Sequence, residues 1–156
     1  MRSSAICALV VASMFVMLAR AIAADAQEGP SVSNGARSGA ATVWSGVFTA
    51  AQADRGGGVY AQSCANCHGG GLEGADMSPA LAGAAFMASW NDLTLGDLFE
   101  RIRISMPADR PGTLSRQQMA DVIAFVLRSN QFPTGATELP TETPALRAMK
   151  FVMVKP

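Results

Sequence analysis

The sequence predicts a small all-α domain: three main helices with long loops wrapped around one internal group that the chain itself does not supply. Three observations point there. Three stretches combine a capping residue with an apolar stripe at helical spacing. No stretch shows the strict alternation of a half-buried strand. A long Gly/Pro/Ala-rich segment, 69–91, and an aromatic content of only 6% leave the interior short of large side chains.

The first helix is expected over Ala50–Ser63, with Thr49 as its N-cap. It contains Gly56-Gly57-Gly58, each costing about 1 kcal/mol against Ala in a helix interior. Such a helix needs tertiary support, or a close backbone approach that only glycine permits. The second runs from Leu95 to about Ser105. Thr94 caps it, Asp97 stands at the third position, and Leu95, Leu98, Phe99 and Ile102 form the stripe before Pro107 ends it. The third begins with the capping box Ser115-Arg116-Gln117-Gln118. It places Met119, Val122, Ile123 and Val126 on one face, which Phe125 and Leu127 widen, and it stops at Asn130 and Pro133. Residues 69–91 and 108–113 read as loops. A loop longer than about 15 residues is uncommon in a compact domain unless something orders it.

The N-terminus divides off from this domain. Met1 and Arg2 precede an uncharged apolar run, Ala5 to Ala19, followed by Arg20 and the small residues Ala21-Ile22-Ala23-Ala24. That is the pattern of a secretory signal over residues 1–23, with cleavage after Ala23 or Ala26. The apolar run is short for a membrane span of roughly 20 residues. Residues 24–43 are rich in Ala, Gly and Ser without periodicity and read as a flexible leader. The expected domain is 44–139, with 140–156 as a C-terminal extension.

Charge excludes some functions. Twelve Lys and Arg balance twelve Asp and Glu, with no long run of one sign, so neither a nucleic-acid surface nor a charged tail is indicated. Cleavage after Ala23 removes Arg2 and Arg20, leaving ten basic against twelve acidic residues and a charge of −2. It also removes Cys7, so only Cys64 and Cys67 remain of three cysteines.

Those two stand in Cys64-Ala65-Asn66-Cys67-His68, the C-x-x-C-H attachment signal of a c-type haem. Two thiols on adjacent turns can add across the two vinyl groups on one porphyrin edge. The next residue then turns its imidazole towards the iron. A thioredoxin-type redox pair would need a βαβ context, and a structural zinc site a fourth ligand. A plain disulfide would leave unexplained why the only histidine follows it directly. One covalently bound haem c also supplies the missing apolar filling. It leaves the second axial ligand to a methionine. Met77, Met87 and Met106 are the candidates. Met106 follows the second helix, precedes Pro107 and enters a loop able to wrap the far haem face.

From about Trp44 to Leu139 the chain resembles a class I c-type cytochrome. It is most similar to the single-haem cytochromes and cytochrome domains associated with bacterial periplasmic quinoprotein dehydrogenases. The resemblance is carried by Val43-Trp44-Ser45-Gly46-Val47-Phe48, Cys64-Ala65-Asn66-Cys67-His68-Gly69 and Pro79-Ala80-Leu81. It continues in Trp90, Leu93-Thr94-Leu95-Gly96-Asp97-Leu98-Phe99, Met106-Pro107 and Pro111-Gly112-Thr113-Leu114-Ser115. Asp121 to Leu127 and Asn130-Gln131-Phe132-Pro133-Thr134-Gly135 complete it. The resemblance implies a small cytochrome c fold with Met106 as distal ligand beside His68. It implies that the Pro79 carbonyl accepts a bond from His68 Nδ1–H. It also implies a helix crossing at Gly56 and Phe125, and Trp90 as a bond donor to a haem propionate. Arg101, Arg103 and Arg110 are further propionate candidates. The implied role is that of a periplasmic one-electron carrier with no catalytic residue. Its donor would be a quinoprotein dehydrogenase and its acceptor another cytochrome or an oxidase. The competing roles are a haem sensor or haem enzyme with a labile distal ligand, and a tightly bound dehydrogenase subunit.

Overall fold

The computed structural model describes residues 41–156. The expected signal segment and most of the leader lie outside the described residues. Six helices and one minimal strand pair make up the rest: β1 (Ala41–Thr42), a short 3₁₀ turn (Val43–Ser45), α1 (Ala50–Ser63), α2 (Ala65–His68), α3 (Ala84–Trp90), α4 (Leu95–Ser105), α5 (Arg116–Ser129), α6 (Thr143–Arg147) and β2 (Met149–Lys150). The fold is a mainly helical domain, as the sequence predicts.

The three main helices start where their caps place them. Thr49 accepts from Gln52 N, Thr94 from Asp97 N and Ser115 from Gln118 N, and the last two form complete capping boxes. α1 and α5 make the most extensive helix contact in the fold. Glycine is required at their crossing, because a Cβ on Gly56 would run into the Asp121 carbonyl. Arg55 Nε and Nη2 fasten the same place from α1, donating to Asp121 Oδ2 and Oδ1 at 3.1 and 3.0 Å. Arg55 also reaches Glu138, and the two carboxylates raise the pKa of its guanidinium.

Two elements differ from the sequence reading. Within the segment expected to be loop, Ala84–Trp90 forms α3. Its N-cap is Gly83 with no side-chain bond, and only Phe86 is buried, so neither cap nor stripe announces it. Phe86 instead packs edge-on against Phe151, with ring centroids 5.9 Å apart.

The C-terminal residues are the second difference. Expected as an extension, they pack against the helices. α6 packs on α4, and β2 pairs in parallel with β1, Ala41 opposite Met149 and Thr42 opposite Lys150. Phe151 is fully buried between Phe86 and Phe132. Its backbone exchanges bonds with 92–93: Phe151 N to Leu93 O at 2.8 Å and Asp92 N to Phe151 O at 2.9 Å. Trp44 Nε1 donates to Val152 O at 2.9 Å. The first described residues and those past Leu139 thus hold each other.

Candidate haem site

The site begins at the C-terminal end of α1. Cys64 ends that helix by donating its N–H to Tyr60 O at 2.8 Å. The chain then makes the single turn of α2, with His68 N bonded to Cys64 O at 2.9 Å. One turn is enough to bring Cys64, Cys67 and His68 to the same apolar cleft of about 790 Å³. Tyr60, from one turn earlier, donates its hydroxyl to Gly69 O at 2.6 Å and so ties α1 to the end of the turn. Burial pushes the Tyr60 hydroxyl up to about 12, so it stays a donor at neutral pH.

The two thiols are unjoined; Cys64 is half-buried and Cys67 exposed. Burial, followed by the neighbouring Cys67, raises the Cys64 thiol pKa. A charged thiolate is therefore disfavoured there, and an uncharged thioether suits the position.

His68 is buried, and its ring lines the cleft. Its Nδ1 lies 2.8 Å from the Pro79 carbonyl oxygen. A carbonyl can only accept, so Nδ1 carries the proton and Nε2 is the nitrogen with a free lone pair. This is the arrangement that raises the basicity of a ligating imidazole.

Of the methionines, Met106 and Met77 line the cleft and Met87 does not. Met106 caps the end of α4, its N–H bonded to Ile102 O at 2.9 Å, and it is half-buried. Met77 sits at the tip of a tight turn closed by the Ala75–Ser78 pair, two residues before Pro79, and is 97% exposed. Trp90 lines the cleft from the end of α3, and no described residue claims its indole N–H. Of the three arginines, only Arg101 lines the cleft. Arg103 is engaged by Glu100 at 2.7 Å, and Arg110 lies 3.8 Å from Asp109.

The remaining walls are mostly apolar, from Leu98 and Ile102 on α4, Val122 and Val126 on α5, Leu81 and Leu114. Two thiols and an imidazole stand at the edge of this apolar cleft, with a thioether from a second element. That donor set and that lining fit a covalently held haem.

Sequence reading missed two side chains that tie distant parts of the domain together. Gln52 is fully buried and exchanges two bonds with the Leu139 backbone, Nε2 to O at 3.2 Å and N to Oε1 at 2.7 Å. Asn130, read as a helix stop and as part of the resembling stretch 130–135, bonds the loop in front of α3. A Gln inside an otherwise apolar helical face was the only signal for the first. For the second, nothing in the sequence pointed to its loop partners.

The helical fold and the C-x-x-C-H turn at the rim of an apolar cleft define a class I c-type cytochrome domain, and such a domain implies covalently bound haem c. The family model that matches, over residues 51–126, is the one described as "Cytochrome C oxidase, cbb3-type, subunit III". No curated protein matches the chain significantly. Among solved structures, the chain is similar to a chain of the sulfane dehydrogenase SoxCD from Paracoccus pantotrophus. The two are 21% identical with a TM-score of 0.41, over 62% of this chain and 55% of that one. Among the described residues no helix is long and apolar enough to cross a membrane.

Proposed function

We propose that this protein is an exported single-haem c-type cytochrome that carries one electron at a time. The reading rests above all on His68, whose ring lines the cleft with Nδ1 committed to Pro79 O at 2.8 Å. Cys64 and Cys67 would hold the haem as thioethers, and His68 Nε2 and Met106 Sδ would be the axial ligands. Bound there, a haem supplies a one-electron iron couple. With His68 and Met106 both on the iron there would be no open site for a substrate, and a neutral, soft thioether would favour the ferrous state and a raised potential. Trp90 and Arg101 are the cleft-lining donors for the propionates. On this reading the chain is not an enzyme. The N-terminal signal sends it to the periplasm, where a dehydrogenase, of the quinoprotein kind by the resemblance, reduces it. Another cytochrome or an oxidase then takes the electron.

Visible and near-infrared spectra of periplasmically produced protein test this. The expected result is a low-spin haem c whose weak near-infrared Met-to-iron band disappears in Met106→Ala. High-spin iron that binds CO rapidly in the wild type would overturn the carrier reading in favour of a sensor or enzyme. Co-purification with a dehydrogenase at fixed stoichiometry would make the chain a bound subunit instead of a free carrier.

A further inference from the structure

The segment that carries the Pro79 carbonyl, the partner of His68 Nδ1, is bonded to a distant part of the chain. Pro79 opens the short segment that leads into α3. Leu81, two residues on, donates its N–H to Leu72 O at 2.8 Å, which fixes the segment on the side of the C-x-x-C-H turn. The other side is fixed by one side chain. Asn130, at the end of α5, donates from Nδ2 to Leu81 O at 3.0 Å and accepts at Oδ1 from Gly83 N at 2.9 Å. Its Nδ2 also donates to Val126 O at 2.8 Å, which ties the amide to its own helix. Two carbonyls and one N–H permit only this orientation of the amide.

We propose that Asn130 is a positioning residue for the axial imidazole. It clamps Leu81 and Gly83 to the end of α5, so the Pro79 carbonyl cannot swing away from His68 Nδ1–H. The strength of that bond sets how much electron density the imidazole gives the iron. Helix capping alone needs only the bond to Val126; the two loop bonds, 49 and 47 residues away in sequence, are surplus to it. The proposal rests on His68 being an iron ligand, as proposed above.

The test uses the haem-bearing full chain and two readouts: the reduction potential, which simple stability does not move, and the exchange rate of His68 Nδ1–H in the reduced protein by NMR, taken relative to amides that open only with the whole domain. In Asn130→Ala the Pro79 carbonyl is freed. Losing both loop bonds should speed Nδ1–H exchange by about five- to hundredfold. The potential should rise, because a less basic imidazole stabilises ferric iron less. Ser129→Ala removes a neighbouring bond at the same helix end, Ser129 Oγ to Phe125 O, and should leave both readouts unchanged. A less stable Asn130→Ala with wild-type potential and exchange would overturn the proposal. Should that variant fail to fold, native-state hydrogen exchange on the wild type decides. The Gly83 amide and His68 Nδ1–H should then open together with one denaturant dependence, and independent opening would overturn the proposal. Mass spectrometry separates the two readings. A chain without covalent haem sinks the proposed function, whereas haem-bearing protein with unchanged readouts sinks only the role of Asn130.

Discussion

Gly56 on α1 lies directly against the backbone of Asp121 on α5, and the Asp121 side chain is gripped by the residue next to that glycine, Arg55. The helix crossing is thus a backbone contact locked by a two-pronged ion pair. Gln117 Nε2 adds a third bond to the same carboxylate at 2.8 Å. The crossing braces α1, which delivers Cys64 at one end, against α5, which walls the cleft with Val122 and Val126.

The crossing makes the glycine run position-specific. Gly56→Ala should destabilise the haem-bearing protein by about 1–3 kcal/mol, as overpacking does. Gly58 has nothing near the place its Cβ would occupy. Gly58→Ala should therefore stabilise the same helix by up to ~1 kcal/mol. Denaturant midpoints of the two variants read the difference directly; equal effects would mean the crossing does not select the glycine.

The cleft has a consequence for the chain without haem. Without haem, a mostly apolar cleft of about 790 Å³ leaves its walls facing water, and a group bound only by the folded state adds directly to the stability of a small helical domain. The Cys64→Ala/Cys67→Ala double variant should be largely unfolded. Far-UV circular dichroism checks this, and a native-like spectrum would refute it.

Phe151 joins the C-terminal residues to the domain. Fully buried between Phe86 and Phe132, it should cost about 3–5 kcal/mol when replaced by Ala. A chain ending at Leu139 should be less stable still, since it also loses the pairing of β2 with β1. Thermal melts of both would show it. A melt unchanged by Phe151→Ala would mean that the C-terminal extension adds nothing to the stability of the domain.

Asp97 gives one component of the pH dependence. The Thr94 hydroxyl and amide, donating to Oδ2 at 2.7 and 2.9 Å, hold its pKa below the ordinary 3.8. The folded state therefore favours the ionised form. The stability it contributes is complete above the ordinary value and lost as pH falls through the lower folded one. Wild type should exceed Asp97→Asn in unfolding free energy at neutral pH, and the gap should close below about pH 4. A gap that widens on acidification would contradict the assigned cause.

The three capped helices were legible because a cap and an apolar stripe are local patterns. Thr49, Thr94 and Ser115 each bond an amide three residues on, in the helix they start. The C-x-x-C-H turn was legible for the same reason, since its spacing is its geometry. α3 was not, having neither cap nor stripe; its one buried residue answers to Phe151, far along the chain.

The sequence by itself determined the helical class, the helix starts and the residues that fit a haem. Only the tertiary structure decided what holds the domain around it together. Gln52 meets Leu139, Asn130 meets Leu81 and Gly83, and Trp44 meets Val152, each across a long stretch of chain. In every one of these pairs a side chain bonds to backbone. A peptide group is the same at every position, so the partner residue carries no letter by which a sequence could reveal it.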